Sequence, residues 1–245
     1  MPISREQPDQ IYAEPRASIG RFAFDEAVTQ VFADMINRSV PGYQTVLGML
    51  TVFAQRFSRD GSRIYDLGCS LGASTLMLRQ GAHPGSRIIA IDNAPAMVEQ
   101  SVRNITADAG TTPVEVGLGD ILEVTFEPAS LIVLNYTLQF VPPPQRLPLL
   151  QRIHAALSPG DALVLAEKVR FTDDAHQNLM TELHHGFKKA NGYSDLEISQ
   201  KRAALEAVLQ PDTLDEHTAR LRHCGFSATQ VWFQCLNFVG LVAIK

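Results

Sequence analysis

A glycine-containing turn between an apolar strand and a helical segment is the part of this sequence best suited to bind a ligand. It spans residues 64–74, Ile-Tyr-Asp-Leu-Gly-Cys-Ser-Leu-Gly-Ala-Ser. Gly68 and Gly72 allow the backbone to approach a ligand closely, and the helix that follows offers free amide donors at its N-terminus. Asp92 ends the next apolar run, where its carboxylate can accept hydrogen bonds from both hydroxyl groups of a ribose. The pattern therefore indicates a nucleoside site.

Three enzyme chemistries are compatible with this turn. A dinucleotide-binding turn requires GxGxxG, but Ser70 occupies the position of the second glycine. The turn also matches GxSxG, the nucleophile elbow of α/β-hydrolases, although no oxyanion segment of the HGG type precedes it. An S-adenosylmethionine (SAM) pocket accounts for more residues, with Asp66 and Gly68 at the methionine portion, Asp92 at the ribose and residues 119–121 at the adenine. We favour this third interpretation; the other two, and a turn with only packing glycines, remain alternatives.

Strands alternate with helices through the middle of the chain. The predicted strands are residues 63–67, 87–91, 114–116, 131–135 and 162–167. The helices predicted between them are residues 70–80, 94–108 and 144–157, the last of which is expected to end at Ser158-Pro-Gly160. Two further helices with apolar positions at helical spacing precede the first strand. Such alternation is typical of βαβ units, and it predicts a parallel sheet covered by helices on both faces.

The C-terminal third departs from simple alternation. Residues 169–222 carry no strand pattern and are predicted to form a helical insertion. Residues 229–235 and 238–244 form two strand-like runs separated by a tight turn, which allows an antiparallel hairpin but no parallel pair. A mostly parallel seven-stranded α/β sheet with such a hairpin is the layout of the Rossmann-like SAM-methyltransferase fold. We expect residues 1–21 to be a disordered arm and residues 22–245 to be a single SAM-binding domain.

Composition argues against several classes of function. The chain has 245 residues, with 21 Lys and Arg against 26 Asp and Glu, for a net charge of -5. Proteins that bind nucleic acid usually have a basic face, whereas the densest basic clusters here are the pairs Lys188-Lys189 and Lys201-Arg202. The apolar runs are shorter than the roughly 20 residues of a membrane span. We therefore expect neither direct nucleic-acid binding nor a membrane segment.

Cysteine and histidine placement predicts no metal site. The three cysteines lack CxxC spacing, which argues against a disulfide framework or a zinc ribbon. His184 and His185 are adjacent, so on a helix they point about 100° apart. No secretory signal pattern opens the chain, and a reduced cytoplasm is the expected location.

Several segments outside the glycine turn are distinctive. They are Ser39-Val-Pro-Gly-Tyr43, Ile91-Asp-Asn93, Val133-Leu-Asn-Tyr-Thr-Leu-Gln-Phe140, Phe187-Lys-Lys-Ala-Asn-Gly-Tyr-Ser194, Glu197-Ile-Ser-Gln-Lys-Arg202 and Trp232-Phe-Gln-Cys-Leu-Asn-Phe238. Together with residues 65–72 they resemble the carboxy-S-adenosyl-L-methionine synthases, relatives of methyltransferases that act in tRNA wobble-uridine modification. The resemblance extends from Phe22 to the C-terminus. The glycine turn alone would indicate only the superfamily.

The resemblance implies a specific reaction. SAM and prephenate give carboxy-SAM and phenylpyruvate: prephenate loses its ring carboxylate as CO₂ and its ring hydroxyl as a base, the sulfonium methyl group is deprotonated, and the resulting carbanion captures the CO₂. A separate enzyme then transfers the carboxymethyl group to tRNA, which agrees with the acidic composition. The resemblance also implies a homodimer.

The resemblance assigns ligand contacts to ten positions of this chain. They are Tyr43, Gly68, Cys69, Ser70, Asp92, Asn93, Asp120, Ile121, Asn135 and Arg202. Arg202 and Tyr43 are the best candidates for stabilising substrate and product. A guanidinium about 5 Å from a sulfonium costs roughly 3 kcal/mol at an effective dielectric constant of about 20. With the added carboxylate between them, the same arginine becomes a bidentate partner, in its own chain or across the dimer.

The implied chemistry requires a closed pocket, because a carbanion and free CO₂ would both be lost to bulk water. Residues 169–222 and the corner at residues 39–43 are the predicted cover. No residue is assigned to prephenate, and no side chain is assigned as general base.

Two alternative functions remain: a methyltransferase acting on another small molecule, and a catalytically silent SAM-binding partner of a tRNA-modifying enzyme.

Overall fold

A single seven-stranded sheet organises residues 8–245, the part of the chain that the structure, a computed structural model, describes. The strands are β1 (Arg63–Leu67), β2 (Arg87–Asp92), β3 (Val114–Leu118), β4 (Ala129–Asn135), β5 (Leu157–Lys168), β6 (Ala228–Cys235) and β7 (Phe238–Ile244). The helices are α1 (Glu26–Ser39), α2 (Tyr43–Phe57), α3 (Ala73–Gly81), α4 (Pro95–Ala107), α5 (Pro143–Ala156), α6 (Asp174–Ala190), α7 (Asp195–Leu205) and α8 (Leu214–His223). A 3-10 turn, Leu138–Phe140, follows β4.

The strand order is β3-β2-β1-β4-β5-β7-β6. The first five strands are parallel, and β7 runs antiparallel to both β5 and β6. The sequence prediction of a mostly parallel α/β sheet that ends in an antiparallel hairpin is therefore confirmed.

Two apolar clusters cover the two faces of the sheet. Alternate residues of β1 point into different clusters, Ile64 to one and Tyr65 to the other. Helices α2 and α3 pack on the first face, whereas α5 and α8 pack on the second. The residues of β4 from Leu131 to Leu134 are fully buried, as expected for a parallel strand covered on both sides. This burial explains why the central strands are continuous apolar runs.

Strong caps define the helical insertion between β5 and β6. The side chain of Asp173 accepts a hydrogen bond from a backbone N–H in the first turn of α6, and Ser194 and Thr213 each form a capping box at the starts of α7 and α8. Caps of this kind satisfy amides that a helix start leaves free. His184 of α6 bonds through Nε2 to the carbonyl oxygen of Ser39 at 2.8 Å, which ties the insertion to the end of α1.

The N-terminal segment packs on the insertion. Asp9 and Tyr12 are buried, and the side-chain amide of Gln200 donates to the carbonyl oxygens of Tyr12 and Glu14, each at 2.9 Å. The Gln200 side-chain oxygen accepts from the backbone N–H of Arg16, also at 2.9 Å. Residues 8–21 therefore pack against α7 instead of forming the disordered arm expected from sequence. Residues 1–7 of that arm lie outside the described residues.

Within residues 8–245, no helix combines the length and the apolar character that crossing a bilayer requires.

Candidate functional site

A cavity of about 520 Å³ opens at the carboxyl ends of the parallel strands. Each of these strands contributes its last residue or the next one to the wall: Gly68, Asp92, Gly119, Asn135 and Lys168. The cavity lies where the chain connections reverse direction on either side of β1, the usual ligand position in open α/β sheets. The structure brings nine of the ten predicted residues to this wall: Tyr43, Gly68, Cys69, Ser70, Asp92, Asn93, Asp120, Ile121 and Asn135.

The glycine turn owes its shape to left-handed backbone and to bonds with β2. Gly68 has a φ of 80° and Ser70 a φ of 50°. A Cβ on Gly68 would lie 2.4 Å from Oγ1 of Thr137. The backbone N–H groups of Gly68 and Cys69 both donate to the carbonyl oxygen of Ile91, at 2.8 and 3.0 Å. A side chain at position 68 is therefore excluded by both conformation and space.

Asp92 places a carboxylate beside this turn. Its Oδ2 accepts from the backbone N–H of Ser70 at 2.8 Å, and its Oδ1 accepts from that of Ala94 at 2.9 Å. Burial raises the pKa of Asp92, and the backbone donors at Ala94 and Ser70 oppose that rise. Because each carboxylate oxygen can accept more than one hydrogen bond, Asp92 retains the capacity to bind two ribose hydroxyls.

Asp66 lies behind the turn and is not part of the cavity wall. It is fully buried, and Oγ1 of Thr75 donates to its Oδ2 at 2.6 Å, whereas Oδ1 has no partner among the described residues. Burial raises the pKa of Asp66 to about 7. The expectation that Asp66 itself holds a ligand is therefore corrected: the carboxyl group holds α3 against β1, and Gly68 is the residue that lines the cavity.

The cysteine of the turn has no nucleophilic character. Cys69 is buried, and burial together with the charges of Asp66 and Asp92 raises its thiol pKa well above the usual range. A thiol must ionise to act as a nucleophile. Cys69 therefore contributes to the cavity wall through its position in the turn and not as a nucleophile.

Neutral polar groups line the middle of the cavity. Nδ2 of Asn135 donates to Oγ of Ser74 at 2.9 Å, and its Oδ1 is buried without a partner in residues 8–245. The rings of Tyr43 and Tyr136 lie 6.2 Å apart. Burial raises the pKa of both tyrosines, so their hydroxyl groups stay protonated. An uncharged acceptor beside aromatic faces suits a cationic ligand such as a sulfonium.

Sequence reasoning missed Tyr136 as a site residue. It follows Asn135 directly, has a φ of 61°, and its Oη has no partner among the described residues. A non-glycine residue in this conformation is uncommon and often marks a functional site. The sequence feature that indicates a site residue here is the place of Tyr136 directly after the predicted strand of residues 131–135, since ligands bind at the carboxyl ends of parallel strands.

Arg202 is the predicted residue that this chain's cavity does not include. It lies on α7, is exposed, and is absent from the wall of the cavity. Its positive charge contributes to the lowered pKa values of Lys168 and Lys188, so it lies near that end of the cavity. A contact between Arg202 and a ligand stays a prediction.

Three further residues of the cavity wall are lysines, and none of them was among the ligand contacts predicted from sequence. They are Lys168, Lys188 and Lys201. Nζ of Lys201 lies 3.5 Å from Oδ2 of Asp9 and 3.1 Å from Oγ of Ser39. In the sequence, Lys188 and Lys201 stand in basic pairs, a pattern that bears only on nucleic-acid binding.

His184, also on this wall, is an uncharged residue. Burial, and then the charges of Lys188 and Lys168, lower its pKa to about 3.

No group of three or more potential metal ligands occurs within residues 8–245.

The relatives found by comparison with known proteins include enzymes that are more than half identical to this chain over nearly its full length. The carboxy-S-adenosyl-L-methionine synthase of Trichlorobacter lovleyi is 54% identical over 242 residues, which covers 98% of this chain and 99% of that protein. The enzyme of the same name from Klebsiella pneumoniae is 52% identical, covering 97% of this chain and 96% of the relative. A family model described as a methyltransferase domain matches residues 64–160.

Solved structures with the same fold include methyltransferases of low sequence identity to this chain. A putative O-methyltransferase of Nostoc punctiforme aligns with a TM-score of 0.63 at 14% identity over 90% of this chain. Human N-acetylserotonin methyltransferase in complex with SAM aligns with a TM-score of 0.62 at 17% identity, also over 90%. This chain spans 59% and 55% of those two longer proteins. The likeness shows the fold.

Proposed function

The chain belongs to the carboxy-S-adenosyl-L-methionine synthase family, and on this premise we propose that it converts SAM and prephenate to carboxy-SAM and phenylpyruvate. The observation that carries the proposal is that one cavity is lined by two carboxylates, Asp92 and Asp120, at the carboxyl ends of β2 and β3, and by two lysines, Lys168 and Lys188, of β5 and α6. We call the first part the nucleoside end and the second the lysine-lined end. SAM itself occupies only the nucleoside end, and the lysines of the other end suit a co-substrate that is an anion. A reaction between a sulfonium and an anionic carboxyl donor needs both.

The proposed reaction balances without a further reagent. Prephenate releases CO₂ and hydroxide and becomes phenylpyruvate. The hydroxide removes a proton from the sulfonium methyl group and becomes water, and the methyl carbon forms its new bond to CO₂. The net products are carboxy-SAM, phenylpyruvate and water, so no side chain is required as the base.

The residues of this chain bind, orient and exclude water in this scheme. Asp92 binds the ribose, the segment from Asp120 to Ile121 binds the adenine, and the wall formed by Gly68 and Asn135 receives the methionine portion. Tyr43 begins α2 at the corner that covers the cavity, and α6 is held to this corner through His184 and Ser39. Exclusion of water here protects both the carbanion and the CO₂.

Arg202 is proposed to bind the new carboxylate from a neighbouring subunit of a homodimer. Its exposure on α7 supports this role, because an exposed arginine that does not line its own cavity is free to enter another. A bidentate pair with the carboxylate would favour carboxy-SAM over SAM. The product then serves a separate tRNA carboxymethyltransferase in the cytoplasm, so this acidic chain does not itself bind RNA.

Isotope labelling tests the proposed function directly. The full chain is incubated with SAM and with prephenate that carries ¹³C in its ring carboxylate, and the nucleoside product is analysed by mass spectrometry. We expect a gain of one labelled CO₂ unit and an equal amount of phenylpyruvate. Methyl transfer to another acceptor without this gain, or SAM binding without turnover, would overturn the proposal in favour of one of the two alternatives.

A further inference from the structure

The lysine-lined end of the cavity has the composition of a second binding site. We call it the lysine subsite and define it by Lys168, Lys188, Tyr43, Tyr136 and Phe238, all of which line the cavity. The family to which the chain belongs is named for carboxy-SAM, a derivative of SAM. In the proposed function, SAM binds at the nucleoside end. The lysine subsite therefore needs an occupant of its own.

The two lysines of the subsite reach the cavity from distant parts of the chain. Lys168 is the last residue of β5 and pairs with Phe238 of β7, whereas Lys188 lies in the last turn of α6. Neither ammonium group has a hydrogen bond or an ion pair with any residue in 8–245, in contrast to Lys201, which is paired with Asp9. Both lysine side chains are half-buried, and charges withdrawn from water are normally paired. An anionic partner is therefore missing.

Neighbouring charges do not supply that partner. Burial, and then the charges of Lys168, Lys201 and Arg202, lower the pKa of Lys188 to about 7. Asp9 already pairs with Lys201, and His184 stays neutral. The carboxylates on the cavity wall, Asp92 and Asp120, belong to the nucleoside end. The subsite therefore carries excess positive charge that an incoming anion would neutralise.

Aromatic rings form the wall beside these lysines. The ring of Tyr136 lies 6.0 Å from that of Phe238 and 6.2 Å from that of Tyr43. The imidazole of His184 lies 5.0 Å from the ring of Phe238. Such faces pack against a flat or cyclic hydrocarbon group. The buried Oη of Tyr136, which lacks a partner among the described residues, can in addition donate to a substrate oxygen.

We propose that the lysine subsite binds a ring-containing dicarboxylate, with Lys168 and Lys188 neutralising its two carboxylates and the aromatic wall packing on its ring. This inference rests on the proposed function, for which it identifies the groups that bind the carboxyl donor. A dianion between two ammonium groups and a sulfonium offsets the repulsion among these three cations. The two substrates are therefore expected to strengthen each other's binding.

Steady-state kinetics of charge-removing variants test the subsite. Lys168→Met and Lys188→Met are each expected to raise the KM for prephenate at least tenfold and to leave the KM for SAM within twofold of wild type. Lys189→Met is the matched control, because Lys189 is exposed on the same helix and pairs with Asp195. It is expected to match wild type in both constants. Removal of an unpaired, half-buried charge should also leave the melting temperature unchanged or higher.

Three results would overturn the inference: an unchanged KM for prephenate in both subsite variants, an equal rise in the KM for SAM, or a lowered melting temperature that accounts for the lost activity. Calorimetric titration with prephenate separates this inference from the proposed function. If the wild type binds prephenate without forming carboxy-SAM, the proposed function fails. Loss of that binding in Lys168→Met and Lys188→Met, with retention in Lys189→Met, still supports the subsite. Equal binding by all four proteins, or none by wild type, contradicts it.

Discussion

Asp92 holds the glycine turn with both of its carboxylate oxygens, and in the proposed function the same oxygens bind the ribose. Asp92→Ala removes the acceptors of the Ser70 and Ala94 amides, and each buried donor left unpaired costs about 1–3 kcal/mol. We therefore expect lower stability in denaturant unfolding and at least a tenfold weaker SAM affinity by calorimetry.

The matched control for this prediction is Asp108→Ala. Asp108 also accepts a backbone N–H, that of Gly110 at 2.9 Å, but it does not line the cavity. The control should lose stability and keep its SAM affinity. An Asp92→Ala protein with wild-type SAM affinity would contradict the assignment of Asp92 to the ribose.

Asp66 makes stability depend on pH. Its pKa is about 7 in the folded chain, compared with 3.8 as the ordinary value. Between these values the folded state retains a proton that the unfolded state releases, so the free energy of unfolding falls as pH rises from about 4 to about 7. For one group, the slope approaches about 1.4 kcal/mol per pH unit.

Asp66→Asn should remove this part of the pH dependence. The measurement is urea unfolding of both proteins at several pH values between 4 and 8. Glu167, whose pKa burial raises to about 8, contributes a slope of the same sign that the variant retains. Parallel stability curves for the two proteins would contradict the prediction.

At the scale of elements, the glycine turn tolerates no side chain at its first glycine. Gly68→Ala places a Cβ against Thr137 and forces an alanine into a φ of 80°, which alone costs about 1–2 kcal/mol. We expect a loss of stability of at least this size and weaker SAM binding, measured by chemical unfolding and calorimetry.

Gly48→Ala is the opposite case and serves as the control. Gly48 lies exposed within α2, and no atom lies within 4 Å of where its Cβ would stand. Alanine there should stabilise the chain by about 0.5–1 kcal/mol without a change in SAM affinity. Equal changes in stability and SAM affinity for the two substitutions would show that position 68 does not require glycine.

Local patterns predicted most elements, and one boundary shows where they fail. The predicted strand of residues 162–167 begins in fact at Leu157, so Ser158-Pro-Gly160 lies within β5 instead of forming a helix-ending turn. Pairing of Leu157 with Ala129 and a hydrogen bond from the Gly160 N–H to the carbonyl oxygen of Lys245 hold this extension. Both partners are remote in the chain, so no local pattern contains them.

The same distinction applies to the site. The grouping of Gly68, Ser70 and Asp92 on one wall was predictable, since they stand on one strand-turn-helix unit and the strand beside it. Lys168 and Lys188 were not, because their charges meet only after β5 and α6 are packed around one cavity. A lysine in sequence carries no sign that it will lack a carboxylate partner.

At the scale of the whole molecule, Gln200 joins the N-terminal segment to the insertion. Gln200→Ala removes three hydrogen bonds to residues 8–21, each worth about 0.5–1.5 kcal/mol. We expect a loss of about 2 kcal/mol in unfolding free energy and faster cleavage before Phe22 in limited proteolysis.

Ser199→Ala is the matched control on the same helix, since Ser199 is exposed and bonds only to the carbonyl oxygen of Leu196. It should retain wild-type protection against cleavage. Equal cleavage of the two variants would show that the segment does not depend on Gln200.

The span that matches the methyltransferase model, residues 64–160, contains Gly68, Asp92, Asp120 and Asn135, whereas Tyr43, Lys168 and Lys188 lie outside it. In the proposed function, the residues that bind the nucleoside and the lysines that bind the carboxyl donor thus lie on separate stretches of the chain. Mutation can reshape the second stretch and leave the first intact. A library that seeks other carboxyl donors should therefore vary the residues that flank 64–160 and keep those within it.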